Sequence, residues 1–160
     1  MSSTRATVLT LLFVFLVATR AAADATLFLG TNTTPENRKT QGFSVGAGLL
    51  LLGFEFEYAN TSDDLESVAP ALKTYSGNVL LQTPFTIYGF QPYFTTGVGY
   101  YREALETRED SGFGFNTGGG VKVNLIGPLR VRVDYRAFRL GDDALYSPAH
   151  RLYAGVNLKF

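Results

Sequence analysis

A single histidine and a nearby serine are the residues of this chain that could form a nucleophilic catalytic site. Ser147 lies three positions before His150, and Asp142 and Asp143 stand shortly before both. A serine nucleophile needs a histidine within hydrogen-bonding reach and a carboxylate that orients the imidazole, so the required side chains are present. Pro148 separates the pair, however, and favours a loop. We therefore interpret His150 as a loop histidine and predict no catalytic residues.

Metal and cofactor chemistry is weakly indicated. The absence of cysteine excludes thiolate metal sites, disulfides and cysteine nucleophiles. The acidic stretches 63–66 and 106–110 could attract divalent cations, but such runs are more often solvated loops, and no spacing of histidine and carboxylates suggests a transition metal. The glycine run 118–120 is not followed by a helix, as a phosphate-binding loop requires. We predict no metal and no cofactor.

The remaining polar residues of interest are charges spaced two apart. A spacing of two places side chains on one face of a β-strand, so strands are the elements that must position them. Opposite charges are concentrated on this face, which predicts a charge network of Glu55, Glu57, Lys122, Arg130, Arg132, Asp134, Arg136 and Lys159, with Arg151 on the same face.

The composition also favours strands. The chain has 17 glycines, 13 phenylalanines and 9 tyrosines, and only 18% of its residues are charged. Alternating polarity predicts eight strands at 25–32, 42–50, 54–58, 72–83, 92–102, 113–125, 129–138 and 150–160. The connections that follow odd-numbered strands are longer and carry most of the charge, and we predict them as loops at 33–41, 59–71, 103–112 and 139–149.

Residues 1–23 are predicted to be a removed signal peptide. Arg5 supplies a positive region, residues 8–18 form an apolar run too short for a membrane helix, and small residues precede Asp24. Cleavage after Ala23 would leave one domain, residues 24–160; the sequence Ala23-Asp24-Ala25 also fits a cleavage site. Loss of Arg5 and Arg20 would leave 12 basic against 14 acidic residues, a net charge near −2 that does not suggest a nucleic-acid partner.

The last strand carries a second pattern. Leu152, Val156, Leu158 and Phe160 lie on its apolar face, and the chain stops on the aromatic residue. In this pattern the chain resembles the small outer-membrane β-barrel family, of the OmpA-like and OmpX-like type. The resemblance covers residues 24–160 and implies an eight-stranded antiparallel up-and-down transmembrane barrel. It also implies that these four residues are an assembly signal, read by the outer-membrane assembly machinery.

Alternation alone does not show which face of the strands is in contact with water. A soluble lipocalin-like carrier also has eight strands, but its apolar face lines the lumen. Strands near ten residues match a tilted membrane span, and opposite charges on one face are expected where side chains must pair inside a narrow lumen. Glycines at 97, 99, 118 and 120 share that face and would make room for large side chains. We predict that the polar face is inside; solvated, unpaired charges are the alternative.

The resemblance implies a protein of the outer membrane of a Gram-negative-type cell, in contact with outer-membrane lipid. We expect a non-enzymatic structural or surface-interacting role with a plugged polar lumen, and an extracellular ligand would meet the four predicted loops. Lipid A deacylases share the architecture, but their His-x-Ser pattern is absent here. A lipocalin-like periplasmic carrier and a narrow pore remain the alternatives.

Overall fold

The computed structural model describes residues 22–142 and 144–160, and eight antiparallel strands account for most of them. The strands are β1 (Ala22–Asn32), β2 (Arg38–Leu49), β3 (Leu52–Thr61), β4 (Ala71–Gln82), β5 (Phe90–Leu105), β6 (Arg108–Asn124), β7 (Leu129–Arg139) and β8 (Ala149–Lys159). Within these ranges no helix is long and apolar enough to cross a membrane.

The sheet closes on itself. Each strand pairs with its neighbours in sequence, and β8 returns to pair with β1, so that Asp24 lies opposite Lys159 and Asn32 opposite Arg151. Closure leaves no strand edge without a hydrogen-bonding partner. The predicted fold class, an all-β up-and-down barrel of eight strands, is therefore confirmed.

The two faces of the wall differ in polarity as predicted. In β7, Arg132 and Asp134 are fully buried inside the barrel, whereas the intervening Val133 and the following Tyr135 are 40% and 47% exposed on the outside. The interior is thus lined by charges and the exterior by apolar side chains. A lipocalin-like carrier requires the reverse arrangement, so the fold does not support that alternative.

The interior changes along the barrel axis. At the end where the longer connections lie, a buried apolar cluster is formed by Leu72, Tyr101, Phe138, Leu140 and Ala149. Arg38 and Glu103 are buried at this end as well, whereas the other buried charged side chains occupy the middle of the lumen and its opposite end. Side chains of both kinds point into the interior of the barrel.

The predicted loops were too long. The observed connections are 33–37, 62–70, 106–107 and 140–148, because the flanking strands extend into the polar stretches. The prediction of a loop at 103–112 is wrong: β5 and β6 continue as a hairpin whose last paired residues are Leu105 and Arg108. Charged residues were interpreted as loop residues, but here they bond across the hairpin, with Arg102 2.5 Å from Glu109.

The start of the chain is only partly described. β1 begins at Ala22, which pairs with Gly48 of β2. Ala22 precedes the expected cleavage point after Ala23. Residues 1–21, which make up nearly all of the predicted signal peptide, lie outside the described residues. Its removal stays a prediction.

Candidate functional site

Strand β7 builds one side of the interior site. Its residues Arg130, Arg132, Asp134 and Arg136 alternate with apolar neighbours and all point into the lumen, where each is at most 4% exposed. β7 lies across the barrel from β3, whose inward residues include Glu55 and Glu57. The closed sheet therefore brings cations and carboxylates together although about 75 residues or more separate them in sequence, as the Arg132–Glu55 separation of 77 shows.

Arg132 is the centre of the network. It donates hydrogen bonds to both carboxylate oxygens of Glu55, at 3.3 Å to Oε1, and to Asp134 Oδ2 at 2.9 Å. Its Nε donates to the Tyr93 hydroxyl at 2.7 Å and its Nη1 to Ser44 Oγ at 3.3 Å. Every guanidinium nitrogen thus has a partner, which is what a fully buried cation requires.

Arg136 extends the network along β7. It lies 2.8 Å from Glu55 Oε1, 3.0 Å from Asp134 Oδ1 and 3.2 Å from Glu57 Oε2. Glu57 is also bound by Arg151 of β8. Three carboxylates (Glu55, Glu57 and Asp134) and three guanidinium groups (Arg132, Arg136 and Arg151) therefore share partners, so that removal of any one of them takes a bond from more than one buried group.

Tyrosines complete the network. The Tyr93 hydroxyl donates to Asp134, and the ring lies 4.8 Å from the Arg132 guanidinium carbon. The Tyr153 hydroxyl donates to Glu57 Oε2 at 3.1 Å. Gly120 leaves room for Tyr93, since a Cβ at Gly120 would lie 2.5 Å from the tyrosine oxygen. The sequence-based prediction missed both tyrosines; their positions among the polar residues of their strands were the signal that could have identified them.

A second, smaller group lies at the end of the lumen beside the short connections. Asp24 accepts from Lys122 Nζ at 2.5 Å and from Arg130 Nη2 at 3.0 Å. Arg130 also donates to Asn157 Oδ1 at 2.7 Å and to Gln91 Oε1 at 3.0 Å. Asp24 was missed as a network member because only the register of β1 brings it to these cations.

The structure places Lys159 outside the predicted charge network. It was predicted in the network because it shares the inward face of β8, but its side chain is exposed at the strand end and makes no salt bridge with any described residue. Lys159 is the last residue of β8, at the mouth of the lumen, where water can solvate its ammonium group. The other seven predicted members are brought together in the lumen as two connected groups.

The geometry supports a structural site more than a chemical one. The three carboxylates of this network, Glu55, Glu57 and Asp134, each accept from at least two cationic or phenolic donors, so none of the three is free to act as a base or a ligand. In residues 22–142 and 144–160 no group of three or more histidine and acidic residues could hold a metal ion.

The candidate nucleophile pair is not assembled. Ser147 Oγ accepts from the Leu140 amide at 3.0 Å, whereas His150 lies on the outer face of β8 with its Nδ1 2.7 Å from the Tyr135 hydroxyl. In the described part of the chain no hydrogen bond joins Ser147 to His150. Asp143 lies outside the described residues. His150 lies in β8, in agreement with the predicted strand 150–160, so its interpretation as a loop histidine is wrong.

The predicted assembly signal occupies the outside of the barrel. Leu152, Val156 and Leu158 are 47%, 53% and 42% exposed on the outer face of β8, and Phe160 is 75% exposed. The Phe160 amide donates to the Ala23 carbonyl at 2.8 Å, so the backbone at the carboxyl end is paired.

Known barrels share this architecture. The β-barrel domain of Pseudomonas aeruginosa OprF aligns with a TM-score of 0.66 and 14% identity, covering 87% of this chain and 97% of that one. Neisserial surface protein A aligns with a TM-score of 0.64 and 18% identity, covering 88% and 96%. The outer membrane enzyme PagL aligns with a TM-score of 0.53 and 11% identity, covering 84% and 98%. At these identities the likeness concerns the fold alone.

A comparison with curated protein sequences gave no match. The family described as outer membrane protein beta-barrel domain, in contrast, matches residues 9–160, which is nearly the whole chain. The match agrees with the closed barrel of eight strands and with the apolar outer face. The chain therefore belongs to the outer membrane protein beta-barrel domain family, and its location is the outer membrane.

Proposed function

We propose that the protein is a non-enzymatic barrel with a closed polar lumen, which serves the cell envelope as a structural or surface-interacting element. The observation that carries this proposal is the position of Arg132 and Arg136. Both guanidinium groups are fully buried in the lumen and are paired with carboxylates from the opposite wall. Ion pairs of this kind reach across the lumen, whereas wall-lining charges of a pore would face water.

Two small cavities adjoin the lumen side chains. Each measures about 10 Å³; one lies beside Asn116 and Phe138 and the other beside Asp24 and Gln82. Each is large enough for about one water molecule. A continuous water path through the barrel would need the arginine side chains to move, which would break several buried ion pairs at once.

Planar-bilayer recording tests the closed lumen. The reconstituted protein is expected to show little steady conductance. The double variant Arg136→Ala with Glu57→Ala removes one cation and one carboxylate, so it opens space without changing the net charge, and its conductance should rise. Large, stable, nanosiemens-scale steps from the unaltered protein would contradict the proposal and favour a narrow pore.

The absence of catalysis is proposed from the separation of Ser147 and His150. One barrel of similar fold, PagL, is an outer membrane enzyme. Lipid A is the substrate to test because the lipid A deacylases are the enzyme class considered above for this architecture. We expect no release of fatty acid from lipid A by the folded protein. Release that is abolished by Ser147→Ala and by His150→Ala, with folding unchanged, would show that the protein is an enzyme.

An assembly role for the last strand is a second part of the proposal. The exposed apolar face of Leu152, Val156, Leu158 and Phe160 would be read by the assembly machinery before insertion. Deletion of Phe160 should slow insertion in cells and leave periplasmic precursor, while folding of the purified variant into detergent changes little. Equal losses in both assays would mean that Phe160 stabilises the barrel and is not a signal.

An extracellular ligand, if one is bound, would meet the longer connections, observed at 33–37, 62–70 and 140–148, and the tip of the β5–β6 hairpin. The charged residues of this end support an interaction with a polar partner more than with an apolar one. Binding of cells or matrix that survives replacement of all four connections by short glycine–serine links would contradict this assignment.

A further inference from the structure

The turns at one end of the barrel are apolar and exposed. The connections 50–51, 83–89 and 125–128 contain no charged residue, unlike the connections at the other end. These connections are shorter on average than those at the other end, although 83–89 is longer than 33–37 and 106–107, and in outer-membrane barrels the shorter connections face the periplasm. The exposed apolar residues of these turns and of the carboxyl end, which we call the apolar rim, are Leu50, Leu51, Phe85, Ile87, Tyr88, Leu125, Ile126 and Phe160.

Backbone hydrogen bonds hold the apolar rim in place. Ile87 and Phe90 exchange bonds of 2.8 and 2.9 Å, and the Leu129 amide donates to the Ile126 carbonyl at 3.1 Å. The Gln82 amide donates to the Leu51 carbonyl at 2.8 Å. The backbone of these turns is therefore ordered, and Tyr88 and Ile126 are 97% and 83% exposed. Large exposed apolar surfaces mark interaction sites.

Two of the turns carry large side chains at unfavourable positions. Leu50 has a φ of 52° and Tyr88 a φ of 51°, a left-handed conformation that glycine or asparagine adopts with less strain. The local turn geometry therefore gives no reason for leucine or tyrosine there. Their apolar surface must interact with something outside the turn.

The height of the apolar outer surface indicates what the side chains of these turns contact. On β4, the outward face is apolar from Tyr75 to Leu81, and Lys73 follows above Tyr75. These six residue steps span roughly 20 Å along the strand and, at a tilt near 40°, about 15 Å along the membrane normal. The apolar band of an outer-membrane barrel is about 25 Å tall. The strand alone is too short, and the turn below it supplies the missing height.

Two other strands lead to the same conclusion. On β3 the apolar outward face runs from Leu52 to Tyr58, and Asn60 follows it. On β7 it runs from Leu129 to Ala137, and Arg139 follows it. These runs cover six and eight residue steps, which at the same rise and tilt span about 15 and 20 Å along the membrane normal. Leu51 lies directly below the first of these strands and Ile126 below the second, so the apolar rim continues the lipid-facing surface without a polar break.

We propose that the apolar rim is embedded in the inner leaflet of the outer membrane, at the boundary between phospholipid headgroups and acyl chains. The turns then lie in lipid, and the barrel lacks a polar periplasmic collar. Aromatic side chains such as Phe85 and Tyr88 suit this boundary. The occupant is phospholipid because the rim is continuous with the face that already contacts lipid. This proposal does not depend on whether the lumen is closed.

Tryptophan fluorescence can test the depth of the rim, because the chain contains no tryptophan. Single reporters Phe85→Trp and Ile126→Trp would be folded into phosphatidylcholine vesicles with and without bromine on the acyl chains. Val133→Trp, on the outer wall, is the control for lipid contact. Thr107→Trp, at the exposed tip of the β5–β6 hairpin, is the control for water. Heat-modifiable migration on gels verifies folding of each variant.

We expect Phe85→Trp and Ile126→Trp to be quenched by brominated lipid and to emit at shorter wavelength than Thr107→Trp. Bromine close to the headgroup should quench them more strongly than bromine at the chain end, with the reverse order for Val133→Trp. Because bromine is present in both leaflets, the direction of insertion does not affect the result. Leu51→Trp, in a third turn, replaces either reporter that fails to fold.

Unquenched reporters that emit like Thr107→Trp would overturn the proposal. This result would also be obtained if the rim were a docking surface for a periplasmic protein, since such a partner is absent from the vesicles. Conductance recordings on the same preparations report on the lumen separately, so the two proposals can fail independently.

Discussion

The two faces of β7 place side chains of one strand in opposite environments. Arg132 and Asp134 lie inside and are fully buried, and each contacts residues of other strands. Val133, between them, lies on the outer face and is 40% exposed. Neighbouring residues therefore meet a network of fixed charges on one side and a uniform apolar surface on the other.

The two faces differ in polarity, but they differ more in the energetic coupling between neighbouring residues. An outward residue is surrounded mainly by lipid, which adapts to a new side chain, so the effect of its substitution depends on depth and on little else. An inward residue shares its partners with others: Glu55 is bound by Arg132 and Arg136 together. Substitutions inside the barrel should therefore affect several residues, and those outside should act alone.

The largest effect is expected from Arg132→Met. The change keeps the approximate volume but leaves Glu55 and Asp134 short of a buried cation, which should lower the free energy of unfolding by about 3–5 kcal/mol. Urea unfolding in vesicles measures the change. Arg130→Met is the matched control at the more open lumen end, and a loss there as large as that of Arg132→Met would contradict the central position of Arg132.

A smaller effect is expected from Val133→Arg. A cation on the lipid face near the midplane should destabilise the barrel by about 2–4 kcal/mol. Val133→Leu keeps the apolar character and should change the free energy of unfolding little. If arginine were tolerated at Val133 and Asp134→Leu left the free energy of unfolding unchanged, the assignment of inner and outer faces would be reversed.

The smallest effects are coupling energies, which compare the faces directly. Arg132→Met combined with Glu55→Gln should deviate from the sum of the single changes by about 0.5–3 kcal/mol, because the two groups are bonded. Val133→Ala combined with Val79→Ala, on separate strands of the outer face, should add within about 0.5 kcal/mol. Similar coupling on both faces would remove the distinction drawn between them.

Much of the fold could be predicted from local pattern. Polarity that alternates every second residue is a property of each strand alone, so it identified eight strands and the two faces of the wall before any pairing was known. The aromatic carboxyl end pointed to the family. Strand ends were less predictable: Glu109 was assigned to a loop because charged residues commonly occupy loops, whereas here it bonds to Arg102 across a hairpin.

The sequence by itself determined that Arg132, Asp134 and Arg136 share a face with each other, and Glu55 with Glu57. Only the closed barrel decided which of them meet, because register and curvature join residues of distant strands. Closure brought Asp24 of β1 to Lys122 and left Lys159, on the inward face of β8, in water at the open mouth. Spacing along one strand reports the direction of a side chain, whereas its partner depends on the circumference of the barrel.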